Sequence, residues 1–464
     1  MTLSPEALGW IERQVGGRVV DIRQQARWRP HYFITLDQGG GKQAKILARG
    51  ERAGEPIAKG TMMDVYGHAR EARIVEALQG HGLKIAKYYG YSAEFGIFLS
   101  DQVEGTNLLA EAPDDATRVA VMKQYYEELA KLHSIDVETM TLGGDIKIPR
   151  TAEEIAFAGK YHWTAAAFEH AKGRIKPEPL LNLGMWWLRN NVPQGERKVC
   201  FLQGDTGPGQ FMYAEGQVTA LIDWELAHIG DPMLDLGVGR MRNMLYPAGS
   251  LREPIAHYEK VSGRPIDWQA LSFYSVGSML LTPIGVAGDV QHPTAQVSST
   301  IARFGWYITL CRGLCDALAE ALDIEVEAPD LPDLPHGRNS SMAGFLAEYL
   351  EINCRSLARG DQETDYIETA IAVAKGLKLE SEVGKALLED DLDDMARLLG
   401  KRPSDRDEGY ALLDAMVDHD AQDILVEFVK VFSRIERRRE FLCGPMFIEQ
   451  AAAPFERLLP ASAV

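Results

Sequence analysis

Asp205, Gln210 and Asp223 are the residues of this 464-residue chain whose types and spacing could together do chemistry. The apolar run from Val199 to Leu202 reads as a short strand that delivers Gln203-Gly204-Asp205 at its end, so Asp205 is presented to a loop. Thr206-Gly207-Pro208-Gly209 then forces a bend, because its glycines allow positive φ and its proline lacks a backbone donor. Two β-prone runs, Phe211 to Tyr213 and Val218 to Ile222, are joined by Ala214-Glu215-Gly216-Gln217 and read as a hairpin that ends on Asp223. Asp205 and Asp223 are thereby expected at the same end of a small sheet, with Gln210 between them in sequence. Phosphoryl transfer needs this combination: a carboxylate to orient a hydroxyl and accept its proton, and oxygen ligands to hold Mg2+ against nucleotide phosphates. Mg2+ takes hard oxygen ligands and usually only one or two protein carboxylates, a part that Asp223 can fill.

These residues resemble a known family, the aminoglycoside phosphotransferase and choline kinase-like superfamily of small-molecule kinases. The family pattern is His-Gly-Asp, an Asn five residues after the Asp, then Ile-Asp-Trp-Glu and Gly-Asp-Pro-x-x-Asp-Leu. This chain has Gln203-Gly204-Asp205, Gln210, Ile222-Asp223-Trp224-Glu225 and Gly230-Asp231-Pro232-Met233-Leu234-Asp235-Leu236. Gln203 replaces the usual His and Gln210 the usual Asn; the amide oxygen of Gln210 still suits Mg2+, displaced by about one carbon–carbon bond, ~1.5 Å. Over residues 20 to 325 the resemblance implies an α+β, bilobal protein kinase-like fold with a small β-rich lobe and a larger, mainly helical one. It implies ATP or another nucleoside triphosphate and Mg2+ as cofactors, and a hydroxyl of a small molecule as acceptor. Asp205 would be catalytic, Asp223 and Gln210 would hold metal, and Gln203, Asp231 and Asp235 would support the loop. The two glutamines also leave a second reading open, a catalytically weak or inactive kinase fold that binds a ligand or partner through its helical tail.

The remaining elements must position this site. Leu3 to Gly16 reads as a helix capped by Ser4 with Pro5 in its first turn. Val19 to Leu36 and Gln43 to Ala48 read as strands around Gly39-Gly40-Gly41, a hairpin turn that lacks Walker spacing. The family's nucleotide cover would instead lie near Gln24 to Pro30, which contains no glycine. A kinase-like site also needs a cation on the phosphates, held by an acidic partner on a helix. Lys45 is the favoured cation and Arg49, four residues on and on the same strand face, its rival. The expected helix Asp64 to Gln79 carries Glu71 at the family position of the acidic partner. Ile85 to Tyr91 and Ile97 to Val103 read as strands, and the second leads into Asp101-Gln102-Val103-Glu104-Gly105, where the family places a hinge whose backbone groups meet the adenine edge. Thr117 to Ser134 reads as an amphipathic helix, with His133 a core or capping residue.

The domain reading is 1–103 for the first lobe, 104–327 for the second, 328–340 for a linker and 341–464 for a helical accessory bundle. Three prolines, Pro329, Pro332 and Pro335, carry the linker. Helices are expected at Met342 to Leu357, Thr364 to Leu377, Val383 to Leu399 and Gly409 to Phe441, with a homodimer through them as a candidate partner. Trp186, Trp187, Tyr274, Trp306 and Tyr307 are candidates for an apolar acceptor pocket, and Arg434, Arg437, Arg438 and Arg439 for a solvated helix face. A composition 46% apolar and 25% charged is that of a globular protein. Acidic residues outnumber basic ones by 67 to 49, a formal charge of −18, which argues against a nucleic-acid surface. No run of about eighteen apolar residues and no basic-then-apolar leader is evident, so no membrane role and a cytoplasmic location are expected. The five cysteines are scattered without metal-site spacing.

Overall fold

Alternation with period two builds the first sheet and sorts its side chains. The computed structural model describes residues 3–25, 29–51, 67–144, 146–293, 300–332, 342–447 and 452–459. Helix α1 (Pro5–Val15) begins at Ser4, whose hydroxyl accepts the Ala7 N–H at 3.2 Å. Strands β1 (Arg18–Gln25), β2 (His31–Gly39) and β3 (Lys42–Gly50) follow, then helix α2 (His68–Leu78) and strands β4 (Tyr88–Ser92) and β5 (Ile97–Asp101). The strands form one antiparallel sheet in the order β1-β2-β3-β5-β4. Tyr32, Ile34 and Leu36 on β2 and Ile46 and Ala48 on β3 pack with Ala7 and Ile11 of α1 into one apolar cluster. The intervening residues Phe33, Leu47 and Arg49 face the other way, onto a cavity.

Val19 to Leu36 holds two strands, β1 ending at Gln25 and β2 beginning at His31, on either side of the cover expected near Gln24 to Pro30. Residues 26–28 of the expected cover, 64–66 of the expected helix and 333–340 of the expected linker lie outside the described residues.

By Cα proximity the chain forms two compact units, the first comprising 1–160, 196–235 and 248–266 and the second 161–195, 236–247 and 267–464. In the first, α3 (Asp115–Ser134) starts on Asp114, which accepts the Thr117 N–H at 2.7 Å. Strands β6 (Cys200–Leu202), β7 (Phe211–Ala214), β8 (Gln217–Leu221) and β9 (His228–Gly230) form two sheets, β6 with β9 and β7 with β8. The hairpin expected before Asp223 is present, but the strand leading to Asp205 pairs with β9, so one small sheet becomes two. Helix α4 (Pro232–Leu245) follows β9 and carries Asp235 in its first turn, its residues from Leu236 onward being counted in the second unit, and α5 (Arg252–Ser262) packs on α3.

The second unit is helical. Helix α6 (Trp268–Gln291) is long and apolar enough to cross a membrane by composition, contrary to the expectation that no such run exists. Its apolar window is 78% buried within the protein, as in a core helix, and it packs along α7 (Thr300–Ala321). After the proline-rich stretch come α8 (Met342–Tyr349), α9 (Asp361–Leu379), α10 (Lys385–Leu399) and α11 (Arg406–Cys443). These helices do not stand apart from the rest of the unit. Helix α11 packs on α7 and on the helix Pro179–Asn190, with Asn182 donating to Asp418 at 3.0 Å. The arginines expected on a solvated face are paired inside the chain: Arg434 donates to Asp394 at 2.7 Å, Arg438 to Asp391 at 2.8 Å and Arg437 to Asp316 at 2.7 Å. The outward face of α8 and the turn after it is apolar, with Met342, Phe345, Tyr349 and Ile352 all exposed.

Candidate active site

A buried carboxylate holds the loop that presents Asp205. Asp235 accepts the Gln203 N–H and the Gly204 N–H, each at 2.9 Å, and is contacted by His133 Nε2 at 3.1 Å. His133 Nδ1 in turn lies 2.7 Å from the Tyr258 hydroxyl, so this histidine is a buried support, as expected. Burial alone would raise the Asp235 carboxyl, but the hydrogen bond and charge of His133 and the Gly204 N–H outweigh it and hold the group below the ordinary aspartate range. Gly204 has φ of 81°, and a Cβ there would meet the Leu226 carbonyl oxygen at 2.2 Å, which explains the glycine between Gln203 and Asp205. Asp231 caps the start of α4, accepting the Met233 N–H at 2.9 Å, and pairs with Arg197 at 2.7 Å.

Gln203 is fully buried and ties three segments together. Its amide nitrogen donates to the carbonyls of Gln210 at 3.0 Å and Ile222 at 2.8 Å, and its amide oxygen accepts the Tyr125 hydroxyl at 2.5 Å. The same hydroxyl accepts the Gly207 N–H at 3.0 Å. Tyr125 reads in sequence only as an apolar-face residue of α3; its hydroxyl is what a helical period cannot reveal. Gln210 donates its amide N–H to Asp205 Oδ2 at 2.5 Å. Asp223 sits at φ of 64°, a left-handed conformation that aspartate tolerates better than most residues.

Glu71 is the hub of the cation side. Its carboxylate pairs with Arg49 at 2.6 Å and accepts the Trp224 N–H at 3.2 Å. The Lys45–Glu71 pair favoured from the sequence does not form: Lys45 is exposed on β3, whereas Arg49, two turns of the pleat further on, reaches α2. Burial would lower the Arg49 guanidinium, but Glu71, Asp223 and Glu225 raise it, so it stays a fixed cation. Arg29 pairs with Glu225 at 2.8 Å and approaches Glu71 at 3.8 Å. Arg70, beside Glu71, donates to the carbonyls of Glu225 at 2.9 Å and Ala227 at 2.5 Å, docking α2 on the segment after Asp223.

These groups surround a cavity of about 380 Å3 within the first unit. Arg29, Arg49, Glu71, Gln210, Asp223 and Glu225 form its polar side, and Phe33, Leu47, Val75, Ile85, Phe98, Met212 and Leu221 its apolar walls. Gln102 and Val103 lie at its edge, and the Gln102 N–H bonds the Lys45 carbonyl at 2.9 Å. A Cβ on Gly105 (φ 110°) would meet the Tyr213 carbonyl oxygen at 2.2 Å, so the chain can turn there only as glycine. Lys45 and Asp205 are not among the lining residues. The donor chemistry suits Mg2+, since Asp223 and Gln210 offer oxygen ligands on one wall; no cluster of three or more His, Cys, Asp or Glu fit for a metal occurs among the described residues.

The second unit holds a hollow of about 710 Å3, lined by Arg312, Asp316, Arg437 and Glu440 among others. Its charges are paired with one another, Arg312 with Asp316 and Glu440 and Arg437 with Asp316. Of the aromatic residues considered for an acceptor pocket, Trp187, Tyr274 and Tyr307 are buried core. Trp187 stacks on Phe273 with centroids 6.5 Å apart.

The model of the phosphotransferase enzyme family matches residues 32–274, just over half of the chain. The chain belongs to that family. The chain is similar to the acyl-CoA dehydrogenase family member 11 of Mus musculus, 26% identical over 219 residues, which are 45% of this chain and 26% of that protein. The Gallus gallus protein of the same name is 25% identical over 227 residues, 47% of this chain and 27% of its own. The chain thus spans about a quarter of the length of these curated relatives. A crystal structure of a Ralstonia eutropha JMP134 protein assigned to the aminoglycoside phosphotransferases covers 68% of this chain and 98% of its own, with a TM-score of 0.53 at 20% identity. That likeness is one of fold, and it agrees with the α+β kinase-like arrangement of a small antiparallel sheet followed by a mainly helical region.

Proposed function

We propose that the protein transfers the terminal phosphoryl group of ATP, or another nucleoside triphosphate, to a hydroxyl of a small molecule in an Mg2+-dependent reaction. The observation that carries this reading is the single cavity joining an arginine–glutamate pair, an apolar slot, a hinge backbone, and the Gln210 and Asp223 side chains. Asp205 orients the acceptor hydroxyl and takes its proton. Arg49, held by Glu71, binds the nucleotide phosphates in the part first given to Lys45, and the backbone of Gln102 and Val103 meets the nucleotide base. Mg2+, held by Asp223 and the Gln210 amide oxygen, would offset the phosphate charge as transfer proceeds. The relatives' name, acyl-CoA dehydrogenase, favours hydroxyacyl thioesters as the first acceptors to try. The test is incubation with ATP and Mg2+ against a panel of hydroxyl compounds, aminoglycosides and hydroxyacyl thioesters included, read as a mass gain of one phosphoryl group. Nucleotide binding with no phosphorylated product from any acceptor class would count against transfer.

One contact favours the second reading, a weak or inactive kinase fold. The Gln210 amide donates to Asp205 Oδ2 at 2.5 Å, and a hydrogen bond to the charged form makes a carboxylate a poorer base. The variant Gln210→Asn separates the two. If the longer side chain is a defect, the substitution raises turnover by about ten- to a hundredfold; if Gln210 serves the metal as well as Asn would, turnover is unchanged or falls.

A further inference from the structure

The segment between β1 and β2 lies where a kinase-like protein covers the nucleotide, and in this chain it contains no glycine from Gln24 to Pro30. A glycine-rich cover works by close approach: without Cβ atoms its backbone N–H groups can reach phosphate oxygens. No glycine offers that approach here, and Pro30 has no N–H to give. Among the described residues of this segment, Arg29 sends a long side chain inward. Arg29 is 7% exposed, lines the cavity with Gln25 and His31, and sets its guanidinium 2.8 Å from Glu225 and 3.8 Å from Glu71. With the 2.6 Å Arg49–Glu71 pair, this makes a row of alternating charge, Arg49, Glu71, Arg29, Glu225, along one wall. The row ends beside Asp223, and Glu225 is its most exposed member.

We infer that Arg29 is a second phosphate-binding cation, taking the place of the missing glycine-loop amides, and that Glu225 holds it ready. The inference rests on the nucleotide reading given above. A guanidinium has five donors in a planar fork, so it can keep a carboxylate on one edge and present another to a phosphate. Glu71 and Glu225 fix both arginines before ligand arrives, so little side-chain freedom remains to be lost on binding. Arg29 therefore distinguishes nucleotides by phosphate count: it contributes to ATP and ADP and nothing to adenosine. Lysine at this position would keep the charge but lose the fork.

The test is calorimetric titration of adenosine, ADP and ATP, each with Mg2+, into the 464-residue protein and into Arg29→Ala, Arg29→Lys and Glu225→Gln. Arg29→Ala is expected to weaken ATP and ADP roughly ten- to a hundredfold while adenosine affinity holds. Arg29→Lys recovers part of the loss. Glu225→Gln retains most of the ATP affinity, because the cation it holds is still present. Equal loss of ATP and adenosine in Arg29→Ala, or a Glu225→Gln variant as impaired as Arg29→Ala, would make Arg29 a structural latch and overturn the inference. Unchanged ATP affinity in Arg29→Ala would overturn it as well. Wild-type protein that binds neither adenosine nor ATP would instead sink the nucleotide site itself, and the role of Arg29 with it.

Discussion

Asp205→Asn is expected to lower phosphoryl transfer by about 10²–10⁴-fold, the usual worth of a positioned general base, while nucleotide affinity changes little. The substitution keeps size and removes only the ability to accept a proton as a carboxylate. Asp205 lies outside the residues lining the cavity, and Gln210 donates to it. Single-turnover rates and ATP titrations on the same preparation separate the two quantities. Turnover within tenfold of wild type would take Asp205 out of the mechanism.

The second large effect is structural. Asp235→Asn leaves a buried amide where two backbone N–H groups and His133 had a carboxylate, at a position with 0% exposure. Losing a charged acceptor from two buried donors costs about 3 kcal/mol, and the melting midpoint falls by several degrees. The loss concentrates on Gln203 and Gly204, so turnover falls with it. The carboxyl is depressed in the folded protein, and its contribution to stability is therefore full above the unfolded value of about 3.9 and disappears as pH falls through the lower folded value. Acid melting curves should show it: wild type and Asp235→Asn differ most at neutral pH and converge as the carboxyl protonates. A constant difference down to acid pH would mean the charge of Asp235 is not what holds the loop.

Legibility followed the physics of each signal. The hairpin ending on Asp223 and the cap at Ser4 announce themselves locally, because turn chemistry and capping act over three or four residues. The pairing of β6 with β9 hung on a partner almost thirty residues away, which no local pattern specifies. Lys45 and Arg49 share a strand face, so period alone left both open; which one meets Glu71 depends on where α2 crosses the sheet, a tertiary fact. Arg29 and Tyr125 escaped notice for the same reason. One sits in a segment judged by its missing glycines, the other in a helical stripe judged by its apolar ring. The arginines near the end of α11 look solvated by composition, yet Asp391 and Asp394 of α10 take Arg434 and Arg438.

The most direct test of a magnesium-dependent nucleotide site at Asp223 is the melting midpoint of wild type and Asp223→Asn with millimolar ATP, with and without Mg2+. A ligand at a hundred times its dissociation constant adds about 2.7 kcal/mol, which moves the midpoint by several degrees. Wild type should show a rise that needs both ATP and Mg2+, and Asp223→Asn should lose the magnesium-dependent part. No shift in wild type, or the same magnesium-dependent shift in the variant, would contradict the assignment of this cavity.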